Sequence, residues 1–202
     1  KYYSTEGQAA PFERQALIKL RHIAGDAALG KKVEAHRDGF VYSGSPWDLA
    51  VALDLRRQQV KQLVEPGQIN LKHSHGGIVT LEYAIQYLQV MHGHRHPSLR
   101  TPNTLRALAA LIDVGLIPRA TGENLRKSYL FIRMLIDGLR MVRGNTKDLV
   151  IPPPDSDEFI FLARRVGYQT EDWQAGARHL QTDIEEHMKQ NRQFFEKMFG
   201  KV

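Results

Sequence analysis

The sequence predicts an all-α fold: an antiparallel helical bundle with a helical N-terminal segment and at most one short strand. Three observations predict it. Apolar residues recur at helical spacing through most of the chain, and only "QINLK" alternates as a strand does. Helix-starting Ser, Thr, Asp and Pro and helix-ending Gly punctuate these stretches at short intervals. The 202 residues are 42% hydrophobic and 25% charged, ordinary values for a chain that buries a full core.

Taken in order, Phe12, Ala16, Leu20 and Ala24 form an i, i+4 row that predicts a helix over 11–24, ended by Gly25. Asp26 caps a second helix to about Arg37, and Gly39 and "SGS" break the pattern. In "SPWD", Ser45 as N-cap, Pro46 in the first turn and Asp48 closing a capping box start a helix to about Val64. Pro66-Gly67 stops it, and "QINLK" (68–72) follows as the strand. From Gly77 to about His92, Ile78, Leu81, Ile85 and Leu88 mark a buried helix face, and "HGHRHPSLR" is a loop. Thr101-Pro102 starts the next helix, with Leu105, Leu108 and Ile112 inward and Gly115 at its end. Thr121 caps a longer helix carrying Leu125, Tyr129, Ile132, Leu135 and Leu139, closed by Gly144. "IPPP" (151–154) is an extended linker, because proline fixes its own φ and disfavours helix before it. Asp155 and Glu158 make a capping box ahead of Phe159, Leu162 and Val166. The last helix spans 170–199, with Trp173, Ala177, Ile184, Met188, Phe195 and Phe199 in one stripe. The chain divides as 1–67, a helical segment; 68–150, strand, loop and bundle; and 151–202, a helical hairpin packed on the bundle. One strand makes no sheet, so the partners of "QINLK" are expected outside the chain.

Composition narrows the function. No apolar run approaches bilayer length, and residues 1–25 show no signal peptide. Zero Cys excludes disulfides and thiolate metal sites and suits a reducing cytoplasm, the expected location. The net charge of +6 permits an acidic partner, but Lys and Arg are spread along the chain and mostly solvate helix faces.

Several motifs bear on chemistry. In "KHSHGGI", Gly76 and Gly77 let backbone N–H groups approach a ligand, and a helix N-terminus follows. Lys72 supplies an ammonium and His73 and His75 supply donors, a set suited to a triphosphate; the other reading is a plain turn. "HGHRHP" lacks a carboxylate and reads as a polar loop rather than a metal site. "GSPWDLAVALD" superficially matches a nucleotidyltransferase centre, but Asp48 and Asp54 lie six apart on a helix, whereas two-metal carboxylates sit closer on a strand. "PDSDE" (154–158) puts acids where a helix dipole favours them, so no metal site is expected. Arg133, Arg140 and Arg143, with Arg164 and Arg165, are candidates for an acidic partner against a solvated-face reading. No Ser-His-Asp pattern and no Gly-x-Ser-x-Gly is present.

"NLKHSHGGIVTLEYAIQYLQ" resembles the motif shared by bacterial glutamine synthetase adenylyltransferases and PII uridylyltransferases, (D/N)-(I/L/V)-K-x-x-x-G-G-(I/L)-x-(D/E)-I-(E/Q)-(F/Y). Asn70, Leu71, Lys72, Gly76, Gly77, Ile78, Leu81, Glu82 and Tyr83 fit it. "HPSLRTPNTLRALAALIDVGLI" resembles the segment that follows in the adenylyltransferases, including Leu99, Arg100, Thr101, Asn103, Thr104 and Leu105. "ERQALIKLRHIAGD" (13–26) and "FLARRVGY" (161–168) are similar to theirs as well, so the resemblance covers nearly all of the chain. Thr80 stands where the motif has an acid, and Ile136-Asp137 where the family has Glu-His.

The resemblance implies the region after a nucleotidyltransferase core. The intact enzymes transfer AMP from ATP to a tyrosine of glutamine synthetase and also run the reverse phosphorolysis. It implies ATP and Mg in the intact enzyme, with neither expected on this chain alone, whose paired metal-binding aspartates are expected upstream. Lys72 would neutralise phosphate and Gly76-Gly77 would line the nucleotide side, with His73 a further candidate donor from the loop itself. Glu82 would orient Lys72 or a neighbouring basic group, and Arg100, Arg133 and Arg140 are the candidates for contact with a protein partner. The implied partners are glutamine synthetase or another protein substrate, the nucleotidyltransferase domain and a PII-type signal protein. The first alternative is a regulatory interaction module that binds no nucleotide. A basic helical nucleic-acid binder ranks third, since no recognition-helix pattern or aromatic-basic interleaving supports it.

Overall fold

The computed structural model describes residues 2–4, 7–10, 12–145 and 147–200. Among them are eight α-helices: α1 Glu13–Leu17, α2 Ala27–Val41, α3 Leu49–Leu63, α4 Ile78–His92, α5 Thr104–Asp113, α6 Arg119–Arg143, α7 Asp157–Arg165 and α8 Trp173–Phe199. A 3-10 turn at Pro97–Leu99 precedes α5. The all-α fold class holds, and no described helix is long and apolar enough to cross a membrane.

The helix starts follow from local chemistry. Asp26 caps α2 by accepting from the Leu29 N–H at 2.7 Å. Asn103 caps α5 through the Arg106 N–H, and Gly115, at φ 76°, ends that helix as the sequence predicts. Asp172 caps α8 through the Gln174 N–H.

Several expectations need correction. Helix 11–24 shrinks to α1, and Pro11, its expected start, lies outside the described residues. Its presumed core row is not buried: Phe12, Ala16 and Ala24 are exposed, while Arg14, Gln15 and Ile18 are inside. With no buried face past Ile18, nothing holds residues 20–24 in a helix. Gly39 does not break α2, which continues to Val41 because Phe40 and Val41 are core residues. The α3 cap is Asp48, which accepts from the Ala50 and Val51 N–H groups, whereas Ser45 offers its carbonyl to Arg14. Thr121 lies inside α6, which starts at Arg119 just after Pro118. Ser156, not Asp155, caps α7; Glu158 pairs instead with Arg143 of α6.

"QINLK" is not a strand. Asn70 makes one isolated antiparallel bridge with Val150, flanked by the Leu71 N–H to Leu149 O bond (2.9 Å) and the Ile151 N–H to Ile69 O bond (2.8 Å). Its partner therefore lies within the chain. The pairing stops there because Pro152, Pro153 and Pro154 carry no N–H.

The chain forms two compact units, each built from two stretches: Lys1–Leu55 with Glu82–Gly122, and Arg56–Leu81 with Glu123–Val202. The first has a core of Ile18, Phe40, Val41, Tyr42, Trp47, Ala52 and Val90, with Trp47 stacked on Tyr87. Arg14 is 5% exposed there and donates to Val41 O and Ser45 O, which ties α1 to the end of α2. In the second unit α7 packs on α8. Gly138 of α6 lies under α7, where an added Cβ would sit 2.7 Å from Val166 and 3.2 Å from Leu162.

Candidate functional site

The loop Asn70–Thr80 is densely hydrogen-bonded within itself. The Asn70 carboxamide oxygen accepts from the Lys72 and His73 N–H groups at 2.9 and 3.0 Å, an Asx turn. The Asn70 N–H donates to Ser74 Oγ, and the Ser74 N–H returns to Asn70 O. The Gly76 N–H donates to Thr80 Oγ1 at 3.1 Å, and the Gly77 N–H to Ser74 O at 2.8 Å. The Ile78 and Val79 N–H groups, at the α4 N-terminus, donate to Leu71 O and Lys72 O. The backbone N–H groups that the sequence offers to an anion, those of Gly76, Gly77 and the α4 N-terminus, are thus bonded within the loop.

The glycines serve close packing. Gly76 has φ 87°, and a Cβ there would lie 2.1 Å from the Met188 carbonyl oxygen of α8. Asn191 of α8, 0% exposed, donates its Nδ2 to Gly76 O at 3.0 Å. A Cβ on Gly77 would meet Leu71 O at 2.8 Å.

Arg56 of α3 underlies the loop at 1% exposure. Its guanidinium donates to His73 O (2.8 Å), Ser74 O (3.4 Å), Thr80 Oγ1 (3.0 Å) and Gln59 Oε1 (3.2 Å). Thr80, where the motif has an acid, is one of these acceptors. Lys72 and His75 point outward and are exposed. His73 is half-buried, and its Nδ1 has no hydrogen-bond partner.

Burial, then Lys72 and Arg56, lowers the His73 pKa from 6.5 to about 4. The fold thus favours neutral imidazole, whereas the unfolded chain takes up the proton near 6.5. Its contribution is complete above that pH and is lost as pH falls toward about 4. His75, His92 and His187 are lowered too, burial leading in each case, so they act in the same sense. Urea midpoints should fall across this window, and His73→Gln should make the slope shallower. An unchanged slope in that variant would remove His73 from the account.

Structure separates the other candidates. Glu82 belongs to the first unit, where burial lowers the Lys19 pKa and the Glu82 charge partly restores it. Arg100 donates to Gly93 O at 2.9 Å and lies over the Tyr42 ring at 5.7 Å. Arg133 is exposed on α6, and Arg140 pairs with Asp137 at 3.3 Å. Among the described residues no group of three His, Asp or Glu is placed to hold a metal ion. The acids of "PDSDE" include Glu158, paired with Arg143, so this donor set does not fit Mg. Ser128 Oγ meets His187 Nδ1 at 2.9 Å, but Ser128 is 0% exposed and out of a substrate's reach.

Sequence reading missed Arg56, Asn70, Thr80 and Asn191 as the organisers of the loop. One signal was present: Asn191 falls in the apolar row Ile184, Met188, Phe195 of α8, where a polar residue needs a partner.

A sequence model described as GlnD PII-uridylyltransferase matches residues 51–199. The bifunctional glutamine synthetase adenylyltransferase/adenylyl-removing enzyme of Mycobacterium tuberculosis H37Rv is 36% identical over 160 residues, 77% of this chain and 16% of that protein. The Mycobacterium leprae enzyme of the same name is 35% identical over 179 residues, 87% of this chain and 16% of the relative. The Corynebacterium efficiens enzyme is 33% identical over 187 residues, 91% and 17%. The chain spans about a sixth of the length of these curated relatives.

Proposed function

Because this chain belongs to the GlnD PII-uridylyltransferase family, we propose that it is the helical substrate-binding and regulatory module of a glutamine-synthetase-adenylyltransferase-like nucleotidyltransferase. The observation that carries this reading is the family match across 51–199, which runs through the 70–80 loop and both helices packed on it. In the whole enzyme, ATP and Mg supply the adenylyl group and its activation. This chain's part is positioning: it docks glutamine synthetase or another protein substrate and presents Lys72 to phosphate. The module is not catalytic alone, and we place it in the cytoplasm.

The loop geometry favours a nucleotide role carried by side chains. With the N–H groups of Lys72, His73, Ser74, Gly76 and Gly77 bonded internally, the loop serves as a rigid mount for the exposed Lys72 ammonium. That same observation favours the second reading, a regulatory interaction module that binds no nucleotide. ATP titration decides between them, using this chain joined to an active nucleotidyltransferase core. A charge-assisted contact corresponds to about a tenfold or greater rise in ATP Kd for Lys72→Ala. Thermal stability should not change, since Lys72 is exposed. Equal ATP affinity in the two proteins would reject the nucleotide role and leave the interaction module.

A further inference from the structure

α6 carries an apolar seam that its own unit leaves open. Leu130, Met134 and Met141 are 41%, 40% and 62% exposed. With Asp137 they occupy positions 130, 134, 137 and 141, the alternating four- and three-residue steps of a coiled-coil seam. Arg126, Arg133 and Arg140 recur every seven residues and form one ridge along an edge of that seam. Such positions face the flanking charges of a partner helix.

The opposite edge is closed. Gly138 lies under Leu162 and Val166 of α7, and the Phe131 ring is 4.4 Å from the His187 ring of α8. Phe161 of α7 is 55% exposed one turn before Arg165, which rests its guanidinium on Met141 Sδ at 2.8 Å. The ridge has unspent charge. Arg126 and Arg133 are exposed and have no ion partner among the described residues. Arg140 has only the 3.3 Å pairing with Asp137, and its Nε is buried without an acceptor.

We propose that this face docks an amphipathic helix with an acidic flank, laid along α6 from Arg126 to Met141. Its apolar residues meet Leu130, Met134 and Met141, and its carboxylates meet the arginine ridge. The span is about 24 Å at 1.5 Å per residue. A second copy of the chain suits this face poorly. Antiparallel copies would oppose arginine to arginine, and parallel copies would oppose the ridge to the edge that α7 covers. The inference rests on reading the chain as a docking module and is independent of Lys72.

The test titrates the full chain into a tagged synthetic helix with Leu at its seam positions and Glu at its flanks. The expected result is saturable binding that weakens with salt. The Arg126→Glu/Arg133→Glu double variant should bind about tenfold or more weakly, as should a wild-type pairing with a peptide carrying Lys for Glu. The Lys peptide should regain affinity for the double variant, which separates charge recognition from unfolding. Lys72→Ala should bind the Glu peptide as wild type does, so a failed nucleotide role leaves this result standing. No binding of the Glu peptide, equal binding of both peptides or an unaltered affinity in the double variant would overturn the proposal. So would sedimentation showing self-association that Met134→Glu abolishes, since the occupant would then be a second copy.

Discussion

Gly76→Ala is expected to destabilise the protein by about 2–5 kcal/mol, the sum of a conformational and a packing effect. The conformational part is the φ of 87°, which costs an L-residue about 1–2 kcal/mol. The packing part is larger. The new Cβ would stand 2.1 Å from Met188 O and 2.8 Å from Met188 C, both backbone atoms of α8, so no side-chain rotation relieves the clash. If α8 retreats, the Asn191 bond to Gly76 O breaks and leaves a buried amide without a partner, at about 1–3 kcal/mol. Gly115→Ala is the control, because Gly115 shares the positive φ and has nothing within 4 Å of the added Cβ. Urea unfolding of the two variants should separate by the packing part, about 1–3 kcal/mol. Equal losses would mean that α8 does not hold the loop.

This packing also shows where sequence reading succeeds and where it stops. Signals that act within one turn of helix were legible: Asp26 before α2, Gly115 after α5 and the Pro-rich run before α7 were read correctly. Their chemistry is complete within a few residues, so a local pattern determines it. Competing caps were misread at Ser45/Asp48 and Asp155/Ser156, because nearby Ser and Asp have similar capping ability and the rest of the fold chooses between them. α1 was overextended for a related reason. An i, i+4 apolar row states that a face exists, but whether anything covers it is decided by distant residues.

The loop shows the same division. Its Lys72, Gly76 and Gly77 stood out by type, and the family motif located them. What fixes their conformation comes from Arg56 on α3 and from Asn191, which is 115 residues from the group it holds. A glycine pair before a helix is compatible with both an anion cradle and a close-packed turn. Only the destinations of the N–H groups distinguish them.

Arg56→Met should lower stability by about 1–3 kcal/mol, the range for leaving buried acceptors without their donor. Methionine fills much of the space but leaves His73 O, Ser74 O and Thr80 Oγ1 without the donor they share. Lysine should rescue little, because one ammonium cannot replace the planar fork that reaches Gln59 on one nitrogen and the loop carbonyls on the other. Thr80→Val removes an acceptor of both Arg56 and the Gly76 N–H, at about 1–3 kcal/mol. The two substitutions act on one network, so their effects should fall short of additivity in a double-mutant cycle. A second readout is independent of global stability. The positive charge of Arg56 helps hold the His73 pKa near 4, so His73 should titrate closer to its ordinary value in Arg56→Met. Imidazole resonances followed by NMR against pH report this directly. Additive energies together with an unmoved His73 titration would show that Arg56 is only a buried neighbour of the loop. Coupled energies and a raised His73 pKa would identify it as the residue that sets the loop's shape and charge, and through them the presentation of Lys72.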